Sequence, residues 1–379
     1  MDYKKRALDK HKKLKGKISV ELKDHLDNID QLSTYYTPGV GSVSKHIAEH
    51  PDSARDLTWI NNSVAVVSDG SSVLGLGNIG AQASLPVMEG KCMLFKKFAG
   101  IDAVPIVLKS QSAERIIKTV KQIAPTFGGI NLEDIAAPKC FEIESRLKNQ
   151  LDIPIMHDDQ HGTAVVVLAG LINALKITGK QLKDCLVVVN GAGAAGVAII
   201  KLIKKYEPLV NILAADSKGI IHAKRQNLDF SKKYLIERKK IISDVEGDLR
   251  QAMKGADIFI GVSRGNTVDM AMVKSMNPSP IVFAMANPEP EIMPDLAKKA
   301  GAAVVATGRS DFPNQVNNAL AFPGIFRGAL DNRVTRITNT HKMAAAEVIA
   351  SLVKKPGAEN IIPSVLDKRL VPAIAKVVV

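Results

Sequence analysis

The hexapeptide GAGAAG at residues 191–196 constrains this chain more than any other segment. The pattern G-x-G-x-x-G is weak alone and gains force only between a strand and a helix. Here CLVVVN runs directly into it, an apolar run of the kind buried in parallel sheets. VAIIKLIKKY follows, free of proline and helical in period. Asp216 closes the next apolar run, NILAA, 20 residues after Gly196. A dinucleotide fold places an acid at that spacing, on the adenosine ribose. In such a site Gly191 allows the tight turn and Gly193 lets the backbone approach a pyrophosphate. Gly196 lets helix and strand pack closely, and Ala192, Ala194 and Ala195 complete the loop. Asp216 favours NAD, whose ribose hydroxyls it can bind, over NADP, whose phosphate it repels. Lys218, Lys224 and Arg225 lie just beyond and offer charge that could hold that phosphate instead.

A second match, GLGNIG at 75–80, fits worse. Pro86 lies six residues beyond it, and VMEGK then interrupts a helical pattern. Asp102 stands at a suitable distance, but the intervening helix is missing from the pattern. Residues 75–80 therefore read as a flexible loop.

Around these motifs, short apolar runs alternate with helical patterns. VAVV (64–67), AVPIVL (103–108) and IPIMH (153–157) read as strands in the first part. DIFIGV (257–262), PIVFAM (280–285) and AAVVA (302–306) read as strands in the second. Residues 112–123 and 163–176 read as helices, as does 4–34, which YYTPGVG then breaks. The fold class is α/β: an N-terminal α/β domain plus a Rossmann-type, doubly wound parallel-sheet domain. The 379 residues suit two domains. They divide as 1–160 and 161–379, with residues 345–379 long enough to pack back on the first.

The chain is basic, with 51 Lys+Arg against 38 Asp+Glu and a net charge of +13. The excess concentrates in residues 1–17 (eight basic, two acidic) and 201–240 (eleven basic, four acidic). Solvated lysine faces, or attraction for small anions, account for this without nucleic acid. Three cysteines cannot build a disulfide framework, which suits a reducing compartment. No apolar segment follows the basic start, and stretches such as AVVVLAGLINAL fall short of the roughly 20 residues of a membrane span. The expectation is a cytoplasmic protein that meets neither membrane nor nucleic acid.

Two acidic pairs, Glu133–Asp134 and Asp158–Asp159, border apolar runs. Adjacent carboxylates repel, and burying them without a cation costs several kcal/mol. Oxygen ligands from separate loops suit a hard ion that keeps open positions, Mg²⁺ or Mn²⁺. His157 and His161 flank the second pair, but the segment between them runs from strand end to turn, so they read as structural. Lys91 lies between a glycine and an apolar run, where burial would lower its pKa and make it a base. An ordinary lysine with a buried stem fits the same spacing. Tyr36 is a phenol on a stiff turn. Asn287 and the pair Asn317–Asn318 follow predicted strands, where amides can hold a carboxylate or simply close a turn.

In order, YTPGV, SDGSSVLGLGNIG, EGK, NLEDIAAP, HDDQHGTA, GAGAAG, ANPEP and NQVNNALAFPG resemble the malic enzyme family in its short bacterial form. The resemblance runs from about residue 18 to residue 345. It implies oxidation of L-malate with NAD(P)⁺ and decarboxylation to pyruvate and CO₂, with Mg²⁺ or Mn²⁺. It implies Lys91 as general base, Tyr36 as general acid, and Glu133, Asp134 and Asp159 as metal ligands. Asp158 would partner Lys91, and Asn287 and Asn318 would bind substrate carboxylate. A homodimer is also implied. Ser72 departs from the long form of the family, which has a malate-binding Arg there. Alternatives are a malolactic-type decarboxylase that retains NAD and releases lactate, and a related metal-dependent 2-hydroxy acid dehydrogenase.

Overall fold

Two β-sheets organise the chain, seen in a computed structural model that describes residues 3–73 and 75–379. The first contains β1 (Ser63–Ser68), β2 (Asp102–Val107), β3 (Gly129–Leu132) and β4 (Ile155–His157), parallel and in the order β2-β1-β3-β4. The second contains β5 (Leu186–Asn190), β6 (Asn211–Asp216), β7 (Gly219–Ile220), β8 (Ile258–Gly261), β9 (Ile281–Ala284) and β10 (Val304–Thr307). Its order is β10-β9-β8-β5-β6-β7, parallel except for β7, which pairs antiparallel with β6.

Helices fill the connections. They are α1 (Tyr3–Leu14), α2 (Ile29–Tyr35), α3 (Val40–Glu49), α4 (Ala54–Leu57), α5 (Gly80–Ala99), α6 (Ala113–Ile123) and α7 (Lys139–Gln150). Then come α8 (Asp158–Thr178), α9 (Ala194–Tyr206), α10 (Phe230–Glu237), α11 (Leu249–Met253), α12 (Met270–Lys274) and α13 (Pro294–Lys299). The last are α14 (Phe322–Asp331), α15 (Asn339–Ser351) and α16 (Leu370–Ala375).

The central strands are mostly apolar, as in sheets covered by helices on both faces. Every residue of β1, β3, β8, β9 and β10 is buried. Pro105 falls on β2, the edge of the first sheet, where a missing N–H is tolerated. The second sheet follows the predicted parallel alternation, with β7 an added edge that two residues could not announce in sequence.

Three local expectations are corrected. Residues 4–34 are not one helix: α1 and α2 are separated by a segment in which Lys15 and Gly16 have φ of 56° and 118°. Asn28 then caps α2 by accepting the Gln31 N–H at 2.9 Å. GLGNIG does lead into a helix, α5, which runs through Pro86 and Gly90. Ser84, Met88, Lys91, Cys92, Phe95 and Ala99 form its buried stripe. That burial outweighs the hydrogen bond lost at proline, a cost of about 3 kcal/mol. Finally, β4 passes into α8 with no turn between, so α8 starts at Asp158. Its 21 residues are long and apolar enough to cross a membrane, but most of the helix is buried inside the fold.

The two sheets share packing through α14. On α5, Phe95 meets Phe322 and Phe326 of α14 edge-on, with ring centroids 4.7 and 5.4 Å apart. Arg327 of α14 donates to Asn62 Oδ1 at 2.6 Å. The C-terminal residues cover the other side of α14. A Cβ on Gly324 would lie 2.7 Å from Ile374, and the Asn332 amide donates to the Val378 carbonyl at 2.9 Å. Phe95→Ala should therefore destabilise the protein by about 3–5 kcal/mol in urea unfolding. A loss below about 1 kcal/mol would show that this aromatic cluster does not hold the sheets together.

Candidate active site

Lys91 stands at the centre of a buried cluster. Its position on the α5 stripe points the side chain inward, and its Nζ lies 2.8 Å from Glu133 Oε1 and 2.6 Å from Asp158 Oδ2. The Phe322 ring centroid is 4.3 Å from the same nitrogen, a cation–π contact. Glu133 and Asp134 follow β3 directly, and Asp158 and Asp159 form the first turn of α8, where the helix dipole favours anions. Glu133 is oriented by the Asn131 amide, which donates to Oε2 at 2.9 Å. Asp134 takes a left-handed φ of 54°, and its N–H donates to Asp159 Oδ2 at 2.7 Å. Ser72 lies beside this loop, its N–H donating to the Asp134 carbonyl at 3.0 Å.

Glu133, Asp134 and Asp159 each offer an oxygen within 4.8 Å of the others. Burial pushes the Glu133 carboxyl above its ordinary pKa, and pushes Asp158 and Asp159 up to about 6. Such carboxylates lack enough positive charge around them, and a hard divalent cation supplies it. The donor set therefore fits Mg²⁺ or Mn²⁺. For Lys91 the sequence expectation is corrected. Burial does push its pKa down, but Asp158, Glu133 and Asp159 pull harder, and the net direction is up.

Gly162 makes room for this arrangement. A Cβ there would lie 1.8 Å from Asp158 Oδ1 and 3.1 Å from the Asn318 Cβ. Asn318 thus sits against the turn that carries both aspartates. Its neighbour Asn317 accepts the Ala319 N–H at 2.8 Å, the turn-closing alternative. Asn287 lies three residues beyond β9; its carbonyl would be 2.4 Å from a Cβ on Gly75. The GLGNIG loop therefore rests on the Asn287 segment.

The second sheet offers a separate cradle at the carboxyl end of β5, where strand order reverses. Gly191 has φ of 111°, and a Cβ there would lie 2.6 Å from the Val262 carbonyl oxygen. A Cβ on Gly196 would lie 1.7 Å from the Gly191 oxygen. Around Gly193, at the N-terminus of α9, a Cβ would meet nothing within 4 Å. That open space at a helix N-terminus suits a phosphate. Ala192, Ala194 and Ala195 line the turn. Asp216 ends β6, but its carboxylate is occupied: Arg225 donates to both oxygens at 3.0 and 3.1 Å, and Lys232 lies at 3.1 Å.

Tyr36 stands apart from the cluster. It is 67 % exposed, and its hydroxyl makes no hydrogen bond among the described residues. Supporting groups surround the cluster: His157 and His161, which the sequence reads as structural, and Glu144 and Lys342, which it misses. His157 is buried; its Nδ1 pairs with the Gln160 amide at 3.0 Å, which directs Nε2 toward Asp159 Oδ2, 3.3 Å away. Glu144 of α7 accepts the His157 N–H at 3.0 Å and pairs with His161 at 2.9 Å. Lys342 of α15 approaches His161 Nδ1 at 3.0 Å, and burial pushes its pKa down to about 7. Glu144 did carry a local signal, an acid on the apolar stripe Cys140, Phe141, Ile143 and Leu147.

Comparisons with known proteins agree with one another. Residues 11–148 match the family model described as malic enzyme, N-terminal domain, and residues 160–379 match malic enzyme, NAD binding domain. A bifunctional malic/malolactic enzyme of Bacillus subtilis is 53 % identical over 380 residues, covering 100 % of this chain and 92 % of the relative. An NAD-dependent malic enzyme of Geobacillus stearothermophilus is 52 % identical, covering 96 % of this chain and 76 % of the relative. The solved structure of NAD-dependent malic enzyme from Thermotoga maritima superposes with a TM-score of 0.94 at 49 % identity, over 98 % of each chain.

The two glycines of the site can be separated experimentally. Gly162→Ala forces a methyl into Asp158 and should cost about 1–3 kcal/mol in urea unfolding. Gly193→Ala meets open space and should unfold like the parent. Equal effects of the two would contradict this geometry.

Proposed function

The chain belongs to the malic enzyme family, and from that membership we propose that it converts L-malate to pyruvate and CO₂ while reducing NAD(P)⁺. The observation that carries the proposal is the buried Lys91 pinned between Glu133 and Asp158 beside three carboxylates that can share one cation. A divalent ion held by Glu133, Asp134 and Asp159 would supply positive charge for the developing enolate, and a nicotinamide cofactor held at the glycine turn would serve as hydride acceptor. The protein's own groups do the rest. Lys91, held as an ammonium by its carboxylates, first passes a proton to Asp158, 2.6 Å away, and the amine so formed takes the malate hydroxyl proton. The Phe322 ring and the surrounding burial exclude water from Lys91. Asn287 and Asn318 hold the substrate carboxylates. Loss of CO₂ leaves its electron pair on the enolate, and Tyr36 protonates C3 to give pyruvate.

Glu133, Asp134 and Asp159 are the residues we assign to Mg²⁺ or Mn²⁺. Gly191, Gly193 and Gly196, with the intervening alanines, receive the pyrophosphate. Asp216 gives a preference for NAD, although Arg225 and Lys232 partly neutralise it and leave NADP as an accepted alternative. Relatives of both cofactor classes support this breadth. A second reading, release of lactate with NAD retained, is favoured by the bifunctional malic/malolactic relative.

We also read residues 1–160 and 161–379 as the two domains and the protein as a cytoplasmic homodimer. Helices α2 and α3 bury no residue. They leave Ile29, Leu32, Val40 and Val43 exposed beside Tyr36. A second copy laid on this arm covers that apolar face and gives Tyr36 a protein environment.

Spectrophotometry with malate, NAD⁺ or NADP⁺, with and without Mn²⁺, tests the activity, and pyruvate against lactate separates the two readings. Lys91→Ala and Tyr36→Phe should each remove most turnover while NADH still binds. Wild-type activity in either would refute its role. Asp216→Ala should narrow the preference for NAD⁺ over NADP⁺; an unchanged or wider ratio of kcat/KM values would remove Asp216 from cofactor choice.

A further inference from the structure

Glu291 is fully buried, and among the described residues no Lys, Arg or His forms an ion pair with it. Backbone N–H groups meet its charge instead, with the Ser263 hydroxyl donating to Oε1 at 3.4 Å. Oε1 accepts the Ser263 N–H at 2.9 Å, and Oε2 accepts the Ala286 N–H at 3.0 Å. The carboxylate lies against Gly261, where a Cβ would come within 2.4 Å of its Cδ. The main chain around it is fastened too: the Glu291 carbonyl accepts the Val268 N–H at 3.0 Å.

The partners of Glu291 stand at functional places. Ser263 follows the end of β8, and its Oγ accepts the Asn190 amide at 2.8 Å. Asn190 is the last residue of β5 and the one before Gly191, whose turn packs on the Val262 carbonyl. Ala286 is the residue before Asn287. One continuous chain of contacts thus runs from Gly191 through Asn190, Ser263 and Glu291 to Asn287, crossing the carboxyl ends of β5, β8 and β9. Both ends of the chain of contacts are ligand groups in the functional reading above, on which this inference rests.

We propose that Glu291 is a positioning residue that couples occupancy of the dinucleotide loop to the substrate amide of Asn287. Ordering residues 190–193 around a pyrophosphate fixes Asn190. Asn190 holds Ser263, and the two-sided Glu291 carboxylate passes that constraint to Ala286 and Asn287. Only a carboxylate serves here, because both oxygens must accept; a glutamine offers one acceptor and one donor. The coupling is reciprocal, so substrate tightens cofactor as much as cofactor tightens substrate.

NADH fluorescence provides the test, since NADH with L-malate and Mn²⁺ forms a complex that cannot turn over. In the parent enzyme, saturating malate should tighten NADH about fivefold or more, the usual scale of coupling between sites. Glu291→Gln should still bind NADH alone, with that ratio falling below about twofold. Asn190→Ala cuts the same chain of contacts at its other end and should give the same loss, which keeps the test open if Glu291→Gln does not fold. A folded variant, judged by its melting curve, that keeps the parental ratio overturns the proposal. A parent that oxidises malate yet shows no ratio overturns the coupling while the proposed activity stands. A parent that does not oxidise malate overturns both.

Discussion

A single ammonium buried among four carboxylates sets the terms for the rest of this structure. Lys91 touches Glu133 and Asp158 directly, and Asp134 and Asp159 complete the group. Glu133, Asp134 and Asp158 are buried and Asp159 is half-buried; each buried carboxylate carries a desolvation cost of several kcal/mol, and one lysine cannot offset the group. The fold responds by supplying dipoles. The first turn of α8 faces Asp158 and Asp159, the Asn131 amide binds Glu133, and the Asp134 N–H binds Asp159. What remains uncompensated is the charge a divalent cation would bring.

The same constraint explains where the glycines fall. Gly162 lets the Asp158 carboxylate lie against its own helix, and Gly75 lets the loop after β1 reach the Asn287 carbonyl. Neither contact tolerates a side chain. Together they stitch the carboxylate cluster of the first sheet to the strand ends of the second. The dinucleotide turn follows the same logic at Gly191 and Gly196, while Gly193 leaves space for a ligand.

Much of this was legible in the sequence because it was local. Buried parallel strands are continuous apolar runs, so β5, β6, β8, β9 and β10 stood out, and the glycine turn identified itself by its flanks. What was not legible came from residues far apart. The helix through Pro86 exists because its buried stripe meets partners such as Phe322 and Phe326, beyond the reach of any window on residues 80–99. The pKa of Lys91 goes up because carboxylates 42 and 67 positions away surround it. Glu144, His161 and Lys342 come from three helices, and Glu291 makes sense only once three strand ends are adjacent. The exposed N-terminal arm misled in the other direction: its charges suggested a long helix, but α2 buries no residue and the chain turns at Lys15 and Gly16, where Lys17 bonds to Glu89 of α5.

The Phe322 ring over Lys91 belongs to a helix that comes after the last strand of the second sheet. The polypeptide must therefore be made past residue 322 before the lysine acquires its roof. Helix α14 leaves the nucleotide half and returns to α5, and the C-terminal residues then lock it from behind. A hybrid joined at residue 160 would set the lysine of one parent against the α14 wall of the other, so the two surfaces would have to match. In this architecture the chamber around Lys91 is walled by both halves of the chain.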